Sequence, residues 1–363
     1  MNKEIISNKE GIYLVISYII GTALILSGGT IAKQDTWISI IISVVLAIPI
    51  ALVFGSIIKN FPGKNIFEIL HIVFGKIIGT IISIFYIWYF LHLASLSLRN
   101  ITELIQVVSL QDTPQHFTAI VLGILCIFMI KSGIEVLARW NNFVLPFVLA
   151  LLIIIILLAI PNYKYENLKP LLYNGWTPVL YSSFSFFTFP FAETVIFLAF
   201  FNLLNNNKKA FKVFLLGILI GGLIIFATVI KNTFVVGFPS LTKYYFPSYF
   251  ANSTISLGFV QRIEIFTSVI LILCGFVKIS ACLFAACIGI ANLFNFQEYK
   301  DLVVPLSFIM VVLSIINFSS TMEMIEFIKY YLYYATPFQV IIPLLILIVG
   351  KIRKKSIELN NLD

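Results

Sequence analysis

Ten apolar runs, separated by charges, prolines or asparagine clusters, dominate this chain. They are residues 11–31, 37–58, 77 to about 105, 117–130 with some flank, 143–160, 179–204, 211–234, 263–293, 302–318 and 335–349. A helix needs about 20 mostly apolar residues to cross a bilayer, and these runs approach or exceed that length. A water-soluble fold of 363 residues must cover its surface with polar side chains, yet 60% of these residues are hydrophobic and only 11% are charged. Soluble domains carry about 25% charged residues. The composition excludes a soluble enzyme, a secreted disulfide scaffold and a disordered regulator, and predicts an all-α integral membrane protein with ten transmembrane helices.

The formal charge of +8 comes from basic residues scattered between apolar runs, with no continuous stripe for nucleic acid. In a membrane protein such residues set topology. With the N-terminus inside, the inner segments hold fifteen Lys and Arg, whereas the outer segments hold eight, Arg99 and Lys231 among them. Both termini are therefore expected in the cytoplasm. Cys126, Cys274, Cys282 and Cys287 fall inside apolar runs without ligand spacing, so neither a disulfide nor a metal site is expected. No small-residue cleavage site follows the first run, which is expected to persist as a mature helix. Tyr163, Tyr165, Tyr173 and Trp176 suit the headgroup level, and the aromatic, proline-containing stretch 237–261 predicts short helices in the outer mouth. Residues 61–79 alternate at helical spacing and read as an interfacial helix leading into helix 3.

Helix breakers inside spans carry the most information. Helix 1 contains Gly21-Thr22-Ala23 and then Ser27-Gly28-Gly29, and helix 6 contains Phe187-Thr188-Phe189-Pro190-Phe191-Ala192, followed by Glu193. Glycine and proline are frequent in membrane helices generally, which is one reading. The other is that breaks at matching positions of two halves mark an inverted-repeat transporter fold. Spans 1–5 (about 11–160) and 6–10 (about 179–350) then form one transmembrane domain as a 5+5 inverted repeat, with broken helices 1 and 6, and residues 351–363 form a basic cytoplasmic tail. Unwound backbone at bilayer depth persists only where it is buried in protein or lines a cavity. A half-helix N-terminus offers N–H groups to a carboxylate, and freed carbonyls accept from an ammonium. Such a pair of breaks suits a zwitterion such as an amino acid.

Several stretches together resemble a known family. These are Phe61-Pro62-Gly63-Lys64 with Phe74-Gly75-Lys76-Ile77-Ile78-Gly79, Asp35-Thr36-Trp37, Pro190-Phe191-Ala192-Glu193, Arg262-Ile263-Glu264, and Phe276-Val277-Lys278-Ile279-Ser280. In order and spacing they resemble the B subunits of spore germinant receptors, the endospore germination permease family, over essentially the whole chain. That family is similar in fold to the amino acid–polyamine–organocation transporters. Gly21-Thr22-Ala23 resembles their Gly-x-Gly unwinding motif, with alanine in place of the second glycine. The resemblance implies a germinant-sensing subunit in the spore inner membrane that works with a larger A subunit and a lipoprotein C subunit.

Glu193, Lys278 and His92 are ionisable and lie well inside spans, where charges almost always face a bundle interior. Lys278 and Glu193 form either a static ion pair or a coupling element, and the lysine could stand where a sodium ion sits in inverted-repeat transporters. His92 is either a hydrogen-bonded interior histidine or a gating group. Arg99 and Glu103, spaced i,i+4, read as a local surface pair. Tyr86, Trp88 and Tyr89 read as packing or interface residues. The expected ligand pocket draws on Gly21, Thr22 and Ala23 of helix 1, Leu93 of helix 3, Phe187 and Phe191 of helix 6, and Cys274 of helix 8, and is mainly apolar. There is no phosphate-cradling glycine loop, zinc helix or nucleophile elbow, so no catalytic role and no cofactor is expected. Two functions remain: a receptor subunit for a small neutral amino acid, or an autonomous amino-acid permease.

Overall fold

The computed structural model describes residues 4–26, 31–241, 243–255 and 262–360. Its elements are helices joined by short turns: α1 (Asn8–Leu26), α2 (Thr36–Asn60), α3 (Ile66–Phe74), α4 (Lys76–Val108), α5 (Gln115–Ser132), α6 (Ile134–Ala159), α7 (Trp176–Phe186), α8 (Ala210–Val236), α9 (Phe238–Leu241), α10 (Pro247–Ser253), α11 (Glu264–Phe294), α12 (Val303–Ile316), α13 (Thr321–Thr336) and α14 (Ile342–Asn360). Among the described residues nine helical segments are long and apolar enough to cross a membrane. The nineteen-residue α1 is the remaining span of the series.

Local chemistry explains most of the boundaries. The interfacial helix α3 begins in a capping box: the Asn65 side chain accepts from the Glu68 amide while the Glu68 carboxylate accepts from the Asn65 amide. The fifth span starts nine residues before the apolar run, at Ile134, because Gly133 at φ +109° turns the chain directly into α6. The tenth span also starts earlier than hydropathy suggests. Its tyrosine-rich first half is α13, and a wide turn at Pro337–Ile341 joins it to α14.

Two spans form the enclosed centre. The segment Trp176–Ala199 and helix α11 are the most buried of the nine, because the other helices pack around them. Helix α11 packs extensively against α4 and α1, and α8 against α1 and α2. The residues before α1 pair with the chain after the sixth span. The Ile6 amide donates to the Leu203 carbonyl and the Asn205 amide to the Ile6 carbonyl, both at 2.9 Å. Helices α9 and α10 are the short helices expected in the stretch 237–261.

Candidate functional site

The site grows out of the interruption in the sixth span. Helix α7 ends at Phe186, and the chain passes through a wide turn in which Phe189 adopts an extended conformation (φ −130°, ψ 108°). Pro190 follows and has no amide hydrogen to donate. The span resumes as the tight 3-10 helix Ala192–Ala199, with Glu193 in its first turn. The Thr188 carbonyl, freed from helical bonding, accepts from Gln339 Nε2 at 3.0 Å.

Glu193 is fully buried, and its carboxylate is satisfied from two other spans. Lys278 Nζ of α11 donates to Oε2 at 2.5 Å, and the Tyr331 hydroxyl of α13 donates to Oε1. Lys278 also donates to Thr22 Oγ1 of α1 at 2.9 Å. Its ammonium lies 4.9 Å from the Tyr18 ring centre and 4.7 Å from that of Phe189, within cation–π range. The network continues from Tyr331 to the Tyr89 hydroxyl of α4 at 3.3 Å, and Gln339 donates to Tyr89 at 2.7 Å. Spans 1, 3, 6, 8 and 10 are thus joined through one polar cluster in the apolar interior. An unpaired charge there would cost several kcal/mol, so the pair and its hydroxyl partners hold one another in place.

A cavity of about 50 Å³ opens beside this cluster. Helix α4 lines it with Leu93, Leu96, Ser97 and Asn100, which share one helical face. Phe189 and Glu193 of the broken span and Lys278 of α11 line another side, and Phe318, Met324, Phe327, Ile328 and Tyr331 close the side toward α13. A second chamber of about 150 Å³, lined by Ala23, Ile31, Tyr181, Ser182, Ser185 and Phe186 among others, shares Phe189 and Ile328 with the first. Phe189 therefore stands between the two spaces.

The residues singled out in the sequence occupy different places around this site. Glu193, Lys278 and Leu93 line the cavity, Thr22 holds the Lys278 ammonium, and Ala23 lines the second chamber. Gly21 is helical, not unwound: α1 runs continuously through Gly21-Thr22-Ala23 to Leu26. Residues 27–30, with Gly28 and Gly29, lie outside the described residues. Gly21 and Cys274 meet where α1 crosses α11, and a Cβ on Gly21 would stand 2.8 Å from the Cys274 carbonyl oxygen. Small residues permit such close helix crossings. Phe191 is fully buried and packs toward Gly222 of α8, while Phe187 is partly buried against the core. Neither is among the residues lining the cavity. His92 accepts or donates through Nδ1 to the Tyr334 hydroxyl at 2.9 Å, stacks on Trp88, and lines a separate pocket with Glu323 and Glu326.

Two readings need correction. Arg99 and Glu103 are a buried pair, each 6% exposed, and not a surface one. Their side chains meet at 3.1 Å; Arg99 reaches the Ser314 and Ile315 carbonyls, and Glu103 accepts from Gln115 and Thr321. Tyr89 is more than a packing residue, because its hydroxyl belongs to the central network. Sequence reasoning missed Tyr331 and Gln339. Their one signal is position, in a tyrosine-rich run and beside Pro337, and neither feature marks a partner for Glu193.

Comparison with known proteins supplies the remaining context. A family model described as "Spore germination protein" matches residues 5–322. Spore germination protein KB of Bacillus subtilis (strain 168) is 29% identical over 99% of this chain and 98% of its own length. Putative spore germination protein YfkT of the same organism is 28% identical over 88% of each chain. Among solved structures, Mhp1, a nucleobase-cation-symport-1 family transporter in a closed conformation with bromovinylhydantoin bound, superposes with a TM-score of 0.71. It is 14% identical, covering 93% of this chain and 76% of that one. MhsT in complex with L-phenylalanine gives a TM-score of 0.68 at 13% identity, covering 96% and 99%. The fold is that of these transporters.

Proposed function

The chain belongs to the spore germination protein family, and on that premise we propose that it is the membrane subunit of a spore germinant receptor. In this reading it sits in the inner membrane of the dormant spore with both termini in the cytoplasm. It binds a small neutral amino acid in the cavity beside Glu193 and Lys278 and passes the change to partner A and C subunits.

The observation that carries this reading is the juxtaposition of both charges with a cavity at the broken span. A zwitterion brings one group of each sign. Its carboxylate can take an N–H of Lys278, and its ammonium can share the Glu193 carboxylate, so the site stays neutral overall. Occupancy then competes with the bonds that join spans 1, 6, 8 and 10, and a ligand that favours one arrangement of those spans shifts the population toward it. Lys278, bridging Thr22 and Glu193, acts as a built-in cation. The response should accordingly need no sodium.

The test is a deletion strain complemented with the wild-type chain or with Leu93→Trp, which fills the cavity, and challenged with a panel of amino acids. Germination restored by the wild type to one or a few of them, and lost in Leu93→Trp at normal protein abundance, supports the proposal. An unchanged response in Leu93→Trp places the ligand elsewhere. The shared fold with transporters supports a second reading, an autonomous permease. Accumulation of the same labelled amino acid in proteoliposomes holding this chain alone would favour it.

A further inference from the structure

A second buried lysine has no carboxylate partner among the described residues. Lys231 lies five residues before the end of α8, is 1% exposed, and donates to the Asn252 side-chain oxygen of α10. Ion pairs among the described residues involve Lys64, Arg99, Arg139, Arg262 and Lys278, not Lys231. We propose that Lys231, Asn252 and Thr267 form a binding site for one small monovalent anion of the halide type, between α8, α10 and α11.

The surroundings are poor in negative charge. Asn252 Nδ2 donates to Thr267 Oγ1 of α11, which leaves the threonine hydroxyl its own proton to offer. The Lys231 ammonium keeps two further N–H groups after its bond to Asn252. These three side chains, with Thr228 and Ser248, line one side of a cavity of about 10 Å³; leucines and isoleucines of α1, α6 and α11 line the other, and the lining includes no Asp or Glu. Helices α8 and α10 contain no acidic residue, and Glu10 of α1 and Glu135 of α6 lie in the first turns, at the far ends of those helices. Glu264 of α11 is engaged with Arg262 at 3.5 Å.

A buried ammonium without a counter-charge is costly. Lys278 meets that cost with Glu193; among the described residues Lys231 has only neutral partners, so a small ion from solution completes its shell. A cavity of this size admits about one water-sized species, which excludes phosphate or a carboxylate ligand. The bound ion would tie α10 to α8 and α11, because its donors come from both sides of that junction.

The experiment follows the thermal unfolding of the full chain in detergent, at pH 7, as sodium chloride replaces sodium gluconate at constant ionic strength. A bound ion stabilises by mass action, so the midpoint should rise saturably with chloride and less with the larger bromide. The rise should vanish in Lys231→Met, and half-saturation should move at least about tenfold higher in Thr267→Val, which keeps the shape but removes the donor. A wild-type midpoint indifferent to the exchange overturns the proposal and leaves Lys231 a neutral amine on Asn252. A chloride effect that survives in Lys231→Met also overturns it. Should Lys231→Met fail to fold, Thr267→Val decides: an unchanged half-saturation refutes the site.

Discussion

Breaking the Lys278/Glu193 pair should reveal how tightly the two charges depend on each other. Lys278→Met removes the donor to Glu193 Oε2 and leaves a fully buried carboxylate with the Tyr331 hydroxyl as its partner. Glu193→Gln leaves a buried ammonium with Thr22 and the faces of Tyr18 and Phe189. Removing one partner of a buried pair costs about 3–5 kcal/mol. The glutamine variant should lie at the lower end, because its side-chain oxygen still accepts from Lys278 and the two rings contribute about 0.5–2 kcal/mol of cation–π attraction. Combining the two substitutions strands no charge. The double variant should therefore fall short of the summed losses by about 2–3 kcal/mol, the upper range of coupling between contacting residues. Unfolding of the four proteins by a denaturing detergent in mixed micelles, followed by the fluorescence of the four tryptophans, measures the cycle. Losses that add within about 0.5 kcal/mol would refute the reasoning and mean that the two groups are satisfied independently.

Three further outcomes are expected. Gly21→Ala, which puts a Cβ 2.8 Å from the Cys274 carbonyl, should lower protein abundance and thermal stability before it alters ligand response; normal stability with a changed response would show that Gly21 faces ligand. Phe189→Ala should join the two chambers and speed the exchange of the proposed amino-acid ligand, read by stopped-flow fluorescence, and unchanged rates would mean that the ring is no barrier. An impermeant thiol reagent should label a cysteine at Asn206 only from the cytoplasmic side and one at Tyr245 only from the outside, with little background because the four native cysteines are buried; the reverse pattern rejects the orientation.

What the sequence determined is what depends on neighbours along the chain. Solvation by lipid requires long apolar runs, so the spans were legible, and Pro190 removes a helical donor wherever it sits, so the break in span 6 was legible as well. The membrane cost of charge likewise marked Glu193 and Lys278, 85 positions apart, as residues in need of partners. Tertiary structure decided who those partners are. Tyr331 and Gln339 look like ordinary members of span 10 until packing brings their polar atoms to Glu193 and Tyr89. Gly21 reads equally as an unwinding residue or a crossing residue, and the approach of the α11 backbone makes it the second. Arg99 and Lys231 sit near span ends, where a sequence places them at the surface; neighbouring helices cover both, at 6% and 1% exposure. Hydropathy measures one segment against lipid, whereas burial and pairing are set by which faces of other segments close over it, and that information is spread over residues hundreds of positions apart.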